Sequence, residues 1–432
     1  MGVFSPTEYV GSIHDINFDM LKSRGIKVVA LDIDNTLAPT GTKAPASTVT
    51  EFVKRVKANG FTPVLVSNNS KERVDGFNES LRLFARHRAM KPLKGAFKRI
   101  CEEYNVSYNE ICLVGDQIFT DIMCANYAGM MSILVIPLST DEGAGVRMKR
   151  YLERAMLRRS RGEIYCLIGN PVSHSKSAVL HTAVYDYHGI NARYLLCLAH
   201  DGELGQMVEK FKNEGVKGFN ITVPFKLDIM PFLDFISDDA QQIGAVNTVK
   251  IENGKCYGYN TDGAGFVMSV KANGTELDGK DIKIIGAGGS TKAIVHALAA
   301  EGVRSIKIYN RTVEKAVEIA DSCAAASAFS LNDFNAGDCD VLVNTTSVGL
   351  SPNCGDSPID GLDGISASTA VYDIIYSPPE TAFMKMARDK GCKAYNGAAL
   401  LIYQGLIADE IWFGRPVSEE NLVKEIERKI NG

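Results

Sequence analysis

Short apolar runs that end in polar turns recur along the whole chain. Such runs, bounded by glycine, proline or asparagine, are typical of strands that are buried on both faces of a parallel sheet. They predict strands at residues 26–31, 164–168, 218–223, 282–285, 306–309, 341–347 and 371–376, and another that ends at Val66. Helices are predicted between the strands, for example at 47–58 and from residue 396 onward. This alternation of strand and helix predicts an α/β fold.

Composition and charge narrow the class of protein without identifying it. A length of 432 residues suggests about three folding units of roughly 150 residues each. The net charge of −4 gives no reason to expect nucleic acid as a partner. The 10 cysteines show neither a Cys-x-x-Cys pair nor zinc-site spacing, so free thiols in a reducing cytoplasm are expected. A basic and apolar leader is missing from the first residues, and no apolar run is long enough to span a bilayer, which favours a cytoplasmic location.

Two charged residues mark the ends of elements in the second part of the chain. Lys226 follows the strand predicted at 218–223, which Pro224 should end because proline has no N–H for a sheet. Ligands of open α/β sheets bind beyond the carboxyl ends of strands, although a surface lysine beside a turn is the simpler interpretation. With Gly-Ala-Val-Asn247-Thr and Asn-Thr-Asp262-Gly, however, the segment resembles the shikimate dehydrogenases. The resemblance implies that Lys226 and Asp262 are the catalytic pair, in which the lysine supplies a proton to the alkoxide formed from a ketone.

The same resemblance extends from the strand at 164–168 to the helix that begins near residue 396. It implies an α/β lobe for shikimate and a Rossmann lobe for NADP, with 3-dehydroshikimate reduced reversibly to shikimate on the route to chorismate and the aromatic amino acids. The residues that it assigns to substrate binding are Ser173, Ser175, Thr222, Asn247 and Gln404. His174 and His181 have no third ligand spaced with them, so both are expected to pack or cap rather than to bind a metal.

A glycine-rich turn after the strand at 282–285 carries the cofactor prediction. Glycines let the backbone approach a pyrophosphate at a helix N-terminus, but Thr291 replaces the third glycine of the usual fingerprint. Arg311 and Lys315 follow the next strand where an NAD enzyme places an acidic residue, which favours the 2′-phosphate of NADP. The predicted cofactor residues are Gly286, Ala287, Gly288, Gly289, Ser290, Asn310, Arg311, Thr312 and Lys315, and by resemblance Ile374, Tyr376 and Gly397 beside the nicotinamide. A quinate/shikimate dehydrogenase that uses NAD is the alternative.

Paired aspartates follow the first predicted strand. In Asp32-Ile-Asp34 both carboxylates point into one cleft, one as a nucleophile and the other as an acid or base, unless the segment is only an aspartate-rich turn. Together with Ser67, Lys91 and Gly-Asp116, these residues resemble the haloacid dehalogenase-type phosphatases. The local sequence around them is similar to that of the subfamily that includes phosphatidylglycerophosphate phosphatases. This resemblance covers residues 1–150 and implies a Rossmann-like domain with phosphomonoester hydrolase activity.

The phosphatase resemblance also assigns individual roles. It makes Asp32 the nucleophile and Asp34 the general acid and base, and it makes Ser67 and Lys91 the residues that bind the phosphate. The Mg²⁺ ligands that it implies are Asp32, the backbone carbonyl of Asp34, and Asp116, with Asp121 in support. Magnesium held by a few carboxylates and several waters suits phosphoryl transfer, which is mostly positioning and charge neutralisation.

The spacing between these motifs leaves no room for a cap domain. Residues 37–66 can hold one helix after an irregular stretch, and residues 68–90 can hold a helix and a strand. A capless site is open and accepts a phosphate on something large, so a lipid-linked phosphomonoester such as phosphatidylglycerophosphate is a candidate substrate. The alternative is a catalytically idle scaffold domain attached to a working dehydrogenase.

Residues 147–161 combine basic and apolar residues at helical spacing. They could form an amphipathic helix on anionic lipid, which would place the protein peripherally at a membrane, but packing on the first domain is the favoured prediction. The expected domains are a phosphatase domain at 1–160, a shikimate-binding lobe at 161–268 completed by 400–432, and an NADP-binding lobe at 269–399.

Overall fold

The computed structural model describes residues 3–93, 95–138, 162–172, 175–351 and 353–431. The chain forms two compact units, the first from Met1–His174 with Asn191–Lys217 and the second from Ser175–Ile190 with Gly218–Gly432. Both units are α/β, as predicted. The helix predicted at 147–161 lies outside the described residues. Within the described ranges, every helix is too short or too polar to cross a membrane.

Strands and helices are numbered here along the chain. The strands are β1 (Glu8–Val10), β2 (Val28–Leu31), β3 (Thr62–Val66), β4 (Phe84–Arg86), β5 (Ile111–Gly115), β6 (Met131–Val135), β7 (Glu163–Gly169), β8 (Ala192–Leu198), β9 (Gly218–Ile221), β10 (Phe235–Ile236), β11 (Thr248–Glu252), β12 (Lys255–Tyr259), β13 (Asp281–Ile285), β14 (Ser305–Asn310), β15 (Ala326–Ser330), β16 (Val341–Asn344), β17 (Ala370–Asp373) and β18 (Lys393–Tyr395). The helices are α1 (Phe18–Ser23), α2 (Ser47–Ala58), α3 (Lys71–Asn78), α4 (Gly95–Tyr104), α5 (Met123–Ala128), α6 (Ser177–Tyr187), α7 (Leu204–Glu214), α8 (Asp238–Ile243), α9 (Asp262–Ala272), α10 (Gly289–Ala300), α11 (Val313–Ala320), α12 (Ala382–Asp389), α13 (Ala398–Phe413) and α14 (Glu420–Asn431).

The first unit is built on a parallel six-stranded sheet in the order β1-β6-β5-β2-β3-β4. Its central strands are buried along their whole length, and an apolar cluster covers each face of the sheet. That is why these strands appear in the sequence as continuous apolar runs rather than alternating ones. Between β2 and β4, residues 32–83 form the predicted helix α2, the strand β3 and helix α3, with no cap domain among them.

The first unit also contains the parallel pair β7 and β8, followed by α7. Gly11, just after β1, approaches β8 so closely that a Cβ there would lie 2.4 Å from Cys197 Sγ. Asp15 accepts a hydrogen bond from Ser12 Oγ at 2.8 Å and another from the Leu198 backbone. Residues 191–217, assigned by sequence to the shikimate-binding lobe, therefore pack in one unit with the phosphatase-like sheet.

The second unit carries two groups of strands. One has the order β10-β12-β11-β9, in which β11 is antiparallel to both of its neighbours. Strand β9 ends at Ile221, before the predicted end, because the Thr222 carbonyl accepts a hydrogen bond from Phe225 N at 3.0 Å and begins a turn. Trp412 of α13 packs here in the core and donates to the Val249 carbonyl at 3.0 Å.

The other strands of the second unit form a parallel sheet in the order β15-β14-β13-β16-β17-β18. The order reverses direction at β13, where open α/β sheets leave a crevice for a ligand. The strand predicted at 341–347 ends already at Asn344, whose side-chain oxygen accepts from Thr346 N at 3.0 Å and bends the chain. The strand predicted at 371–376 ends at Asp373, whose carboxylate accepts from Ile375 N at 3.1 Å.

Candidate functional site

The predicted lysine and aspartate of the second unit meet at the ends of two elements. Lys226 follows β9 in a turn, and Asp262 is the first residue of α9. The Lys226 ammonium donates a hydrogen bond to the Asp262 carboxylate, and the two side chains are only 15% and 12% exposed. The first turn of a helix favours negative charge because its N–H groups are unpaired. The pair thus places one proton donor beside one acceptor, with little access to water.

Asn247 connects this pair to the rest of the site. Its amide nitrogen donates to Asp262 Oδ1 at 2.8 Å and to Thr261 Oγ1 at 2.9 Å, while its amide oxygen accepts from Thr261 N at 2.8 Å. Gln404 of α13 brings Oε1 within 3.4 Å of both the Asn247 amide nitrogen and the Thr261 hydroxyl. Thr261 is absent from the predicted set, although it directly precedes Asp262. The structure thus brings Asn247 and Gln404 to the lysine and aspartate.

The other predicted substrate residues lie near helix and strand ends. Ser175 precedes α6, where its hydroxyl donates to Ser177 Oγ at 3.0 Å and accepts from Ser177 N at 3.2 Å. Hydroxyls in this position commonly cap a helix. Thr222 is half-buried in the turn that contains Lys226. Ser173 lies outside the described residues.

A cleft of about 1310 Å³ runs along the edge of the β13 crevice. Most of the predicted cofactor residues line it, namely Gly286, Ala287, Gly288, Gly289, Ser290, Asn310, Arg311, Thr312, Lys315, Ile374 and Tyr376. Gly397 does not line the cleft. A Cβ at this position would be 2.0 Å from the Ile374 carbonyl oxygen, so only glycine allows the two backbone segments to pack this closely. The cleft wall also contains the turn after β16, Thr345 to Val348, which the sequence prediction missed.

The glycine-rich turn at the start of α10 is held by a directed chain of hydrogen bonds. Gly288 N donates to Thr291 Oγ1 at 3.1 Å, the hydroxyls of Thr291 and Thr345 are 2.8 Å apart, and Thr345 Oγ1 donates to the Ile285 carbonyl at 2.9 Å. Gly286 has φ +112°, and a Cβ there would lie 2.6 Å from Thr345 Oγ1. A threonine in place of the third glycine therefore closes the turn, and the exposed backbone still fits a dinucleotide pyrophosphate.

Three carboxylates converge at the carboxyl edge of the first unit's sheet. Asp32 follows β2, Asp116 follows β5, and Asp121 lies one turn further on. One oxygen from each lies within 4.8 Å of the others, and all three residues are buried. Gly115 permits this approach, since a Cβ there would be 2.3 Å from Asp121 Cγ. The Lys91 ammonium contacts Asp32 Oδ1 at 2.5 Å and Asp121 Oδ1 at 2.6 Å.

Burial and charge act against each other in this cluster. Burial raises the pKa of Asp32 to about 6, and the Lys91 charge opposes that rise. Burial lowers the pKa of Lys91, but the carboxylates of Asp121 and Asp32 outweigh it and leave that pKa above its ordinary value. Three carboxylates face one ammonium, so negative charge exceeds positive charge in a buried site. Hard oxygen donors with an excess of negative charge fit a divalent cation such as Mg²⁺.

The other phosphatase residues surround this cluster. The Asp34 carboxylate accepts from Arg73 Nη2 at 2.9 Å and from the Asn69 amide, two partners that the sequence prediction missed. Ser67 is buried at the end of β3, and its hydroxyl accepts from Asn69 N at 3.2 Å. All the phosphatase residues predicted from sequence are therefore gathered at one edge of the sheet.

The chain matches three family models. Residues 2–137 match the family model described as mitochondrial PGP phosphatase. Residues 167–249 match the shikimate dehydrogenase substrate-binding domain, and residues 269–350 match shikimate/quinate 5-dehydrogenase.

Individual shikimate dehydrogenases match the later part of this chain over almost their own full length. The chain is 39% identical over 276 residues to a shikimate dehydrogenase (NADP(+)) of Bacillus cereus, which spans 62% of this chain and 99% of that protein. A crystal structure of a shikimate dehydrogenase in complex with NADP+ is similar with a TM-score of 0.59 and 38% identity, covering 62% of this chain and 96% of its own. The Thermus thermophilus enzyme in complex with NADP(H) and shikimate gives a TM-score of 0.57 at 30% identity, over 62% and 99% of the two chains.

Proposed function

Because the chain belongs to the shikimate dehydrogenase family and carries a phosphatase domain ahead of that part, we propose that it combines two enzymes, an NADPH-dependent 3-dehydroshikimate reductase and a Mg²⁺-dependent phosphatase. The observation that carries the first assignment is the Lys226–Asp262 contact, held by Asn247. The second assignment is supported most by the buried cluster of Asp32, Asp116 and Asp121 with Lys91.

In the reductase, NADPH supplies the hydride when it is bound. Lys226 then donates a proton to the oxygen that becomes the shikimate hydroxyl, and Asp262 accepts one hydrogen bond from the lysine ammonium and another from the substrate. Asn247 orients the aspartate, and Gln404, within 3.4 Å of Asn247 and Thr261, offers a further hydrogen bond. A positioned general acid contributes about 10²- to 10⁴-fold to such a rate.

The catalytic roles are tested with Lys226→Met, which preserves the length of the side chain and removes its proton. We expect turnover to fall by at least about 10²-fold, while the affinity for NADPH changes little because the cofactor cleft lies on other residues. Lys250→Met is the control, since Lys250 pairs with Glu252 on β11 instead. A Lys226→Met enzyme with the turnover of the parent would remove this residue from the mechanism.

Preference for NADPH over NADH is supported by Arg311 and Lys315 at the end of β14. Both line the cleft where the ribose of a dinucleotide reaches the second strand of the sheet. Arg311→Ala should raise KM for NADPH by roughly 10- to 100-fold and change that for NADH much less, because one charge-assisted contact is lost. Arg388→Ala, at an arginine that pairs with Glu380, is the control. Equal efficiency of the parent enzyme with both cofactors would favour the NAD-dependent alternative.

In the phosphatase, Asp32 attacks phosphorus and becomes an aspartyl-phosphate while Asp34 gives a proton to the departing alcohol. Asp34 then takes a proton from the water that hydrolyses the aspartyl-phosphate, which releases phosphate and restores Asp32. Ser67 and Lys91 would bind the phosphoryl oxygens. Asp32, Asp116 and the Asp34 carbonyl would hold Mg²⁺, with Asp121 in support; the ion would neutralise the phosphoryl group.

Asp32→Asn should abolish phosphate release and leave the dehydrogenase unchanged, whereas Asp75→Asn, at an exposed aspartate on α3, should change neither activity. A parent protein that releases no phosphate with Mg²⁺ would favour the idle scaffold.

A lipid-linked phosphomonoester is the proposed substrate class. Two apolar side chains beside the site lysine, Met90 and Leu93, are 66% and 61% exposed, and Arg88 is exposed two residues earlier. Apolar and cationic groups side by side suit an anionic lipid surface.

Phosphatidylglycerophosphate in vesicles should therefore be hydrolysed faster than p-nitrophenyl phosphate. The double substitution Met90→Gln with Leu93→Gln should slow only the vesicle reaction, and Val317→Gln, an exposed valine on α11, should slow neither. If the small soluble phosphate were preferred, the phosphatase assignment would stand and its lipid substrate would not.

A further inference from the structure

The first unit encloses a second cavity of about 360 Å³ that neither proposed activity uses. One side is formed by the phosphatase domain, and the other by the end of β8 and by α7. The apolar part of its wall includes Leu37, Pro39, Val49, Ile136, Met207 and Phe211. A mostly apolar cavity of this volume is within the range of small-molecule sites, which commonly add a few polar groups that orient the ligand.

Lys210 of α7 is the polar group that distinguishes this cavity. Its side chain lines the wall between Met207 and Phe211 and is only partly exposed. Among the residues that the structure describes, no carboxylate lies within 4.0 Å of its ammonium and no acceptor bonds to it; Asp15 and Glu214 act only at longer range. Burial lowers the pKa of Lys210 accordingly. A buried ammonium is costly unless an anion pairs with it.

His14 and Glu203 are two further titratable residues of the wall. Burial, and next the charge of Arg55, lower the pKa of His14 to about 4, so this imidazole is neutral at physiological pH. Glu203 Oε2 accepts a hydrogen bond from His200 N at 2.8 Å, which satisfies one oxygen of that carboxylate. The Lys210 ammonium, with no carboxylate within 4.0 Å in the part of the chain that the structure describes, therefore faces a mostly apolar space. A ligand with a single negative charge would be neutralised there, whereas a dianionic phosphate would leave one buried charge uncompensated.

We propose that this cavity binds a small organic monocarboxylate with an apolar ring or branched body, whose carboxylate pairs with Lys210 and whose body packs between α7 and the segment Leu37–Pro39. The ligand would contact the loop that begins at the paired aspartates, since Asn35 N donates to the Ala38 carbonyl at 2.7 Å and ties this segment to Asp34. It is a different site from the one proposed for shikimate, which is built from Lys226, Asp262 and Asn247.

The test uses the full-length protein and two matched pairs of probes, benzoate with benzamide and 3-phenylpropanoate with 3-phenylpropanamide. Binding is measured by titration calorimetry and by ligand-observed NMR. We expect each carboxylate to bind more tightly than its neutral amide, because only the carboxylate pairs with the ammonium. Lys210→Met should weaken carboxylate binding by roughly 10- to 100-fold and leave amide binding almost unchanged. Binding of either probe at the dehydrogenase site is the same in both proteins and cancels in the comparison.

Two further variants separate a specific site from a general effect. Lys212→Met, on the same helix at a lysine that pairs with Glu209, should bind the probes as the parent does. Met207→Trp fills the cavity and should abolish binding of carboxylate and amide alike, and phosphate release by the same variant would report that the first unit is folded. Equal affinity for carboxylate and amide, equal binding by the parent and Lys210→Met, or no binding at millimolar concentration would each overturn the proposal.

Discussion

The hydrogen-bond chain at the start of α10 gives a prediction whose size can be worked out from the contacts. Thr291 is fully buried, and its hydroxyl both accepts from Gly288 N and bonds to Thr345 Oγ1. Replacing it with valine keeps the shape of the side chain and removes both bonds. Each bond contributes about 0.5–1.5 kcal/mol, so the turn should lose about 1–3 kcal/mol.

This loss should appear in two measurements. The free energy of unfolding in urea should fall by that amount, and because NADPH binds the ordered turn, its Kd should rise by as much as roughly 30-fold for a loss of about 2 kcal/mol. Fluorescence titration of NADPH measures the second effect. Thr291→Ser retains the hydroxyl and should stay close to the parent in both respects.

The result that would refute the reasoning is equally specific. If Thr291→Val bound NADPH with the parent's affinity and unfolded at the same urea concentration, the hydroxyl chain would not hold the turn. If Thr291→Ser were impaired as much as Thr291→Val, the lost methyl contact and not the hydroxyl would be responsible.

Two further predictions concern buried carboxylates of the second unit. Asp409 Oδ2 lies 2.8 Å from Nδ1 of buried His181, so Asp409→Ala should lower the free energy of unfolding in urea by about 3 kcal/mol. Asp389→Ala, at an exposed position, is the control. An equal effect of the two substitutions would contradict a stabilising role for the Asp409–His181 contact. Burial raises the pKa of Asp373 to about 6 from an unfolded value of 3.8, so the folded protein binds the proton more tightly and this residue's contribution to stability falls as pH rises from about 4 to about 6. The expected change is about 3 kcal/mol, and NMR titration of the carboxyl with an ordinary value near 4 would contradict it.

Residues that follow strands were the most predictable part of both sites. Asp32, Lys226 and Arg311 all come directly or almost directly after a run of apolar residues, and parallel strands bring such positions to one edge of a sheet. Periodicity and motif spacing contain that information, since the strand and its polar successor are adjacent in the chain.

Partners contributed by distant segments were not predictable in the same way. Arg73 reaches Asp34 from a separate helix, and Thr345 reaches Thr291 from another strand end. Neither residue type is unusual for its local sequence, so only the packed sheet reveals the contact. Gly397 lies against Ile374, where a Cβ would be 2.0 Å from the carbonyl oxygen, so close backbone approach explains the glycine there. Its place beside the nicotinamide stays a prediction.

Lys210 lacked any sequence signal at all. It lies on an amphipathic helix among other charged residues, where a solvated lysine is the ordinary expectation. The position of Lys210 becomes unusual only because β1 and the residues that follow β1 lie against β8. This packing encloses the face of α7 on which Lys210 lies.

The discontinuity of the first unit has a consequence for synthesis on the ribosome. The phosphatase sheet is completed at Val135, but its unit also requires residues Asn191–Lys217. At about 5–20 residues per second, the ribosome needs roughly 4 to 16 s to synthesise residues 136–217, after which the later segment is complete. During that interval the surface around Gly11 lacks its contact with Leu196 and Cys197 of β8. A ribosome pause between these points would therefore lengthen the time for which the phosphatase sheet exists without the rest of its unit.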